Sequence, residues 1–350
     1  MKSPGHRVAN ESGAESPLTA SSSDADDYVA PSDVLFRDPA LPHQIGTTVL
    51  GIPIRFRTNS RRVLGMFRSA FGEVESNADT SEALHVQVVV YDGPFDAADA
   101  RAVHHICPDP ARVLVHGPGG MAIADPSRRE ALIYANDGLV RAETHFRHNF
   151  LEATTLALVT HFDRQPIHAA ALVRDGHAVL LMGPSGAGKS TLAYLARASG
   201  LTVLSEDIVW IQLTPSMRVW GRPRAIHLLP GAETHFPELR DEVVSRQANG
   251  KHKMTVELGH PYDARPAAAD SVTVCLLQPG GAHARIAPIE SGELRQALMR
   301  DTDAGFDRYG ERRAECARML AENGGWRLTL SQDPHDSLSL LEELLQPGGE

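Results

Sequence analysis

Three cysteines in 350 residues are too few and too scattered for a disulfide framework. Cys107, Cys275 and Cys316 are odd in number and far apart, which suits a reducing compartment. No apolar run approaches the roughly 18 residues that a membrane-crossing helix needs. The opening run, MKSPGHRVANESGAESPLTASSSDADD, contains no apolar stretch of the kind that makes a secretory signal. Positive charge is also short: 34 Lys and Arg against 44 Asp and Glu leave a formal charge of −10. That balance argues against a general nucleic-acid coat and against a polybasic membrane anchor, and leaves room only for a local basic cleft. The expectation is a cytoplasmic protein with neither membrane nor nucleic acid as a partner.

What is present is material for a packed core. Hydrophobic residues make up 42% and charged residues 22%, outside the range of a disordered chain. At roughly 150 residues per domain, the length predicts two. Residues 1–32 are rich in Ser, Ala, Gly and Asp and predict a disordered tail, with order starting near Val34. Residues 33–143 read as a small α+β domain with an antiparallel sheet. Its expected elements are a strand at Thr47–Arg57, a helix at Ser60–Phe71, a strand at Leu84–Tyr91, and three short strands at Arg112–His116, Met121–Ala124 and Ala131–Tyr134.

Residues 144–350 form the expected second domain. It opens with a linking helix at Thr144–Asp163, where Leu151, Thr155, Leu158 and Phe162 fall on one stripe. Strands at Ile167–Val173 and Ala178–Met182 follow, joined by a hairpin turn at Asp175-Gly176. Next come a helix at Lys189–Ala198 and strands at Thr202–Leu204 and Ile208–Leu213. Helices near Gly292–Arg300 and Arg308–Asn323, a strand at Trp326–Leu330 and a helix at Ser337–Leu345 complete the pattern. No solenoid-period repeat is found.

The strongest motif is Gly183-Pro184-Ser185-Gly186-Ala187-Gly188-Lys189-Ser190, which matches G-x-x-x-x-G-K-[ST]. An apolar strand leads into it and a helix leads out. Glycines let the backbone curl until several N–H groups point at one place, and the helix N-terminus adds about half a positive charge there. Gly183, Ser185, Gly186, Ala187, Gly188, Lys189, Ser190 and Thr191 are therefore the expected nucleotide contacts. Lys189 reaches the β- and γ-phosphates, Ser190 offers its hydroxyl to Mg²⁺, and Thr191 packs or caps at the helix start. His168, on the strand before the loop, and Glu206-Asp207, after the next strand, are candidates to converge on the γ-phosphate.

The run Ile167-His168-Ala169-Ala170-Ala171-Leu172, Gly183–Ser190 and Leu204-Ser205-Glu206-Asp207 resembles the catalytic domain of the HPr kinase/phosphorylase family. The resemblance is specific over about residues 166–210. It continues more weakly through Trp220-Gly221-Arg222-Pro223-Arg224, Ile226-His227-Leu228 and Asn249-Gly250-Lys251-His252-Lys253. Glu206 stands where that family commonly has Asp. The resemblance implies an α/β fold: a C-terminal P-loop kinase domain with an HPr kinase/carboxykinase-like mixed sheet, preceded by the smaller α+β domain. It also implies ATP and Mg²⁺ as cofactors, transfer of a phosphoryl group to a serine of a peptide or protein, and a homo-oligomer. Catalysis would fall to Glu206, Asp207, His168 and Lys189. The two acids divide the jobs of base and metal ligand; the resemblance leans towards Glu206 as base, with Asp207 and Ser190 on the metal. Arg222, Arg224, Lys251 and Lys253 could neutralise charge on the transferred group, or form a solvated basic surface.

Other histidines do not make a site. His104-His105-Ile106-Cys107 lacks a second ligand pair at zinc spacing, and His145 and His148 have no Glu-x-x-His partner. Two further functions remain open from the sequence: a small-molecule kinase of the same fold, and an ATP-binding or sensing module that needs no base. A carboxykinase-like reaction would need a second set of metal ligands, which is not found.

Overall fold

The computed structural model describes residues 28–29, 39–72, 82–96, 103–107, 112–242, 244–246, 251–258, 268–300 and 309–346. Apart from Tyr28 and Val29, which pair with Asn59–Ser60, the expected N-terminal tail lies outside these residues.

The first half is a seven-stranded sheet. Its strands are β1 (His43–Val49), β2 (Ile52–Thr58), β3 (Leu84–Tyr91), β4 (His104–Ile106), β5 (Val113–Gly117), β6 (Gly120–Asp125) and β7 (Glu130–Asn136), with α1 (Arg61–Phe71) between β2 and β3. The spatial order is β1-β2-β3-β7-β6-β5-β4. The sheet is mixed, not antiparallel as expected: β2, β3 and β7 run parallel. The reason is α1. It carries the chain back across the sheet, so β3 must run in the same direction as β2. The single strand expected at Thr47–Arg57 is a hairpin. Leu50 (φ 49°) and Gly51 (φ 77°) form a two-residue turn of the kind that needs two positive φ angles. Ser60 caps α1 by accepting the N–H of Val63, and Phe67 stacks on Phe56 with ring centroids 3.9 Å apart.

The expected linking helix comprises α2 (Asp137–Arg141), α3 (Glu143–Phe146), a π-helical turn (Arg147–Glu152) and α4 (Ala153–Thr160). Phe146, Phe150, Leu151, Leu158 and Val159 enter the core of the first sheet. Thr155 is buried, while Phe162 lies past the helix end and is half-buried.

The second half contains β8 (Gln165–His168), β9 (Ala170–Arg174), β10 (His177–Met182), α5 (Lys189–Ala198), β11 (Thr202–Ser205), β12 (Ile208–Gln212), β13 (Arg218–Trp220), β14 (Ala225–Leu228), β15 (Val244–Arg246), β16 (His252–Glu257), β17 (Ala268–Ala269), β18 (Ser271–Gln278), β19 (Arg285–Ile289), α6 (Ser291–Arg300), α7 (Gly310–Leu320), β20 (Gly325–Thr329) and α8 (Pro334–Leu344). The central sheet is β11-β9-β10-β18-β20-β19, with β10, β18 and β20 parallel. Along β18, Val274 enters one core with α6 and α7, while Cys275 and Leu277 enter another with α5 and α8. Apolar residues therefore cover both faces, as a buried sheet requires.

One expected strand is divided. Ile167–Val173 breaks at Ala169, which is fully buried. β8 pairs with β12 in a four-stranded sheet, β17-β13-β12-β8, while β9 joins the central sheet. An apolar run with no turn residue gives no local sign of such a division. Burial pushes the Cys275 and Cys316 thiols up to about 12, so neither is a nucleophile at neutral pH.

Candidate active site

The loop 183–188 leaves the C-terminal end of β10 and enters α5. Gly188 occupies the N-cap of α5 at φ 96°, where a side chain would be strained, and no side chain caps the helix. The first turn of α5 contains no acidic residue, so nothing in it competes for an anion at the helix N-terminus. Lys189 is 7% exposed. Its ammonium donates to the carbonyls of Gly183 and Pro184, folding back over the loop. Lys251 crosses the loop from beyond it and donates to Ser185 Oγ at 3.2 Å.

The two acids sit between β11 and β12, at the corner where the chain leaves the central sheet for the four-stranded one. Ser205 Oγ closes the corner by donating to the carbonyl of Ile208 at 2.6 Å. Glu206 points inwards and its side chain is 7% exposed. Ser190 Oγ donates to Glu206 Oε2 at 2.7 Å, and Oε1 lies 2.6 Å from His227 Nδ1. The His227 backbone N–H also reaches Oε1, at 3.3 Å. Asp207 points the other way and is 55% exposed. Its Oδ1 lies 3.1 Å from His168 Nε2, the last residue of β8. The hydrogen bond from His168 holds the Asp207 carboxyl below its ordinary range, against the opposing effect of burial, and the charges of His168, Lys253 and Lys189 act in the same direction.

The structure thus brings the loop, Lys189, Ser190, Glu206, Asp207 and His168 to one place, but pairs them selectively. Ser190, expected to share a cation with Asp207, bonds Glu206. Ala187 is buried, and Thr191 is half-buried with no hydrogen bond from its side chain among the described residues. Of the four candidate cations, Lys251 bonds the loop and the charge of Lys253 acts on Asp207, whereas Arg222 and Arg224 turn to Glu152. His227 was not singled out as a site residue from the sequence. It reaches Glu206 because β14 packs against α5, whose Ser190 also meets Glu206, and no motif spacing reports that contact.

Among the described residues, no group of three or more His, Cys, Asp or Glu is placed to hold a metal. A nucleotide-bound Mg²⁺ does not require one, since it keeps several waters and takes one or two protein ligands beside phosphate. Ser190 with Glu206 fits that smaller demand.

No family model matches the chain, and no curated protein matches its sequence. Among solved structures, the chain is similar to the HPr(Ser) kinase/phosphatase from Coxiella burnetii. The TM-score is 0.28 and the identity 14%, over 52% of this chain and 94% of that one. A likeness of this degree leaves the chemistry to be argued from the residues themselves.

Proposed function

We propose that the chain is an ATP- and Mg²⁺-dependent kinase that transfers the γ-phosphoryl group to the hydroxyl of a serine in a peptide or protein. The observation that carries this reading is the pairing at the N-terminus of α5: Ser190 with Glu206, and His168 with Asp207. A module that only binds nucleotide needs the first pair and has no use for the second.

The loop amides and the uncapped α5 terminus receive the triphosphate. Lys189 exchanges its two carbonyl partners for phosphate oxygens. Ser190 and Glu206 would hold Mg²⁺, which would offset phosphate charge when bound, and His227 orients Glu206 for that task. Asp207, exposed and kept ionised by His168, takes the proton of the acceptor hydroxyl as its oxygen attacks the γ-phosphorus; ADP leaves. Lys251 and Lys253 offset the charge on the phosphoryl oxygens. In this assignment Glu206 and Asp207 exchange the roles towards which the family resemblance leaned.

The test measures nucleotide protection in thermal melting alongside phosphoryl transfer to serine peptides. Asp207→Asn is expected to lower transfer at least tenfold while keeping protection by Mg·ATP. Glu206→Gln is expected to lower both. Unchanged transfer in both variants would remove the assignment. Protection by nucleotide without transfer to any acceptor would make the chain a binding module, and transfer confined to small alcohols would make it a small-molecule kinase.

A further inference from the structure

The π-helical turn places Glu152 against the segment joining β13 to β14. Its carboxylate, 12% exposed, meets three guanidinium groups: Arg224 Nη1 at 2.6 Å, Arg222 Nη2 at 3.3 Å and Arg147 Nε at 3.5 Å. Among the described residues, no other carboxylate pairs with these arginines. Three positive charges therefore face one negative charge. Arg222 is the most enclosed of the three: its side chain is 14% exposed, donates also to the carbonyl of Ala70 and lies 4.9 Å over the Phe71 ring. Arg147 and Arg224 are more open, with side chains 28% and 24% exposed.

This surplus lies on the Glu206 side of the site. Arg224 precedes β14, whose His227 touches Glu206. The triphosphate has its own cations in Lys189 and Lys251, so this second cluster is free for another anion.

We infer that Arg147 and Arg224 form an anion subsite for the acceptor, so that the hydroxyl substrate carries a carboxylate close to its serine. The inference rests on the kinase reading. The carboxylate could come from a neighbouring acidic side chain or from a chain terminus, and the two sources can be separated experimentally.

The experiment uses labelled peptides containing Ser-Asp or Ser-Asn, each with a free or an amidated C-terminus. Binding to the full chain is read by fluorescence anisotropy with Mg²⁺ and a non-hydrolysable ATP analogue. At least one carboxylate-bearing peptide is expected to bind about tenfold more tightly than the neutral, amidated one, as a charge-assisted contact implies. The Asp and terminus arms show which carboxylate is read. Arg147→Gln and Arg224→Gln should each remove most of the preference. Glu152→Gln should strengthen acidic binding about threefold by removing the competing charge; a merely structural role for Glu152 predicts weaker binding. Equal binding of all four peptides, no binding of any, or a preference untouched in both arginine variants would overturn the subsite. Thermal protection by the analogue, measured on the same samples, reports separately on the nucleotide reading.

Discussion

Lys189 has its ammonium away from water and bonded to two carbonyls of its own loop. Moving it to a phosphate exchanges one set of acceptors for a charged set, so little is lost and a charge-assisted bond is gained. Lys189→Ala should keep the fold and abolish the rise in melting temperature on adding Mg·ATP; a full rise in the variant would contradict the loop assignment. At Asp207 the sign of the pH effect follows from its partner. The carboxyl is held below its ordinary value chiefly by the hydrogen bond from His168, so activity that needs the carboxylate persists below the usual range and is lost as pH falls through the depressed value. In His168→Ala that value rises. The acid limb of kcat/KM should then move to higher pH, and an unmoved limb would detach His168 from the base.

The β13–β14 connection connects the site with the first sheet. Trp220 donates from Nε1 to Gln212 Oε1 at 2.9 Å and lies under Arg164, whose Nε donates to the carbonyl of Leu50 in the β1–β2 turn. A Cβ on Gly51 would lie 2.3 Å from the Trp220 ring, at a φ that side chains avoid. A Cβ on Gly221 would lie 2.1 Å from the Leu204 carbonyl oxygen, two residues before Glu206. Backbone cannot yield there as a flexible side chain could. Gly221→Ala should therefore destabilise by about 2 kcal/mol or more and weaken nucleotide protection by displacing Glu206. Chemical denaturation and melting with Mg·ATP check the two effects. Gly176→Ala, in the open β9–β10 turn with nothing within 4 Å, should cost only the about 1–2 kcal/mol of its left-handed conformation and leave nucleotide protection unchanged.

Across the whole molecule, Glu152 belongs to the helix on the first sheet, while Arg222 and Arg224 belong to the second half. Burial pushes the Glu152 carboxyl up, but Arg222, Arg224 and Arg147 outweigh it and hold it below the ordinary 4.5. A depressed folded pKa contributes stability that is fully present above the unfolded value and is lost as pH falls through the folded one. Urea unfolding should therefore show this contribution undiminished from neutral pH to about pH 5 and fading below about pH 4.5. In Glu152→Gln the acid slope should be shallower. An identical slope would show that the ion cluster does not join the two halves.

Much of this protein was legible before any contact was known. The strand at Leu84–Tyr91, the helix at Lys189–Ala198, the Asp175-Gly176 turn and the glycine loop ahead of Lys189-Ser190 follow from side-chain periodicity, turn chemistry and the φ freedom of glycine. All of these act within a few residues. Tertiary structure alone decided the parallel pairing of β2, β3 and β7, the division of one apolar run at Ala169, the choice of Glu206 over Asp207 as the partner of Ser190, the arrival of His227, and the turning of Arg222 and Arg224 towards Glu152. Each of these depends on which strands meet across long stretches of chain, and on where a buried charge finds its counter-charge. Neither is encoded in the spacing of neighbouring residues.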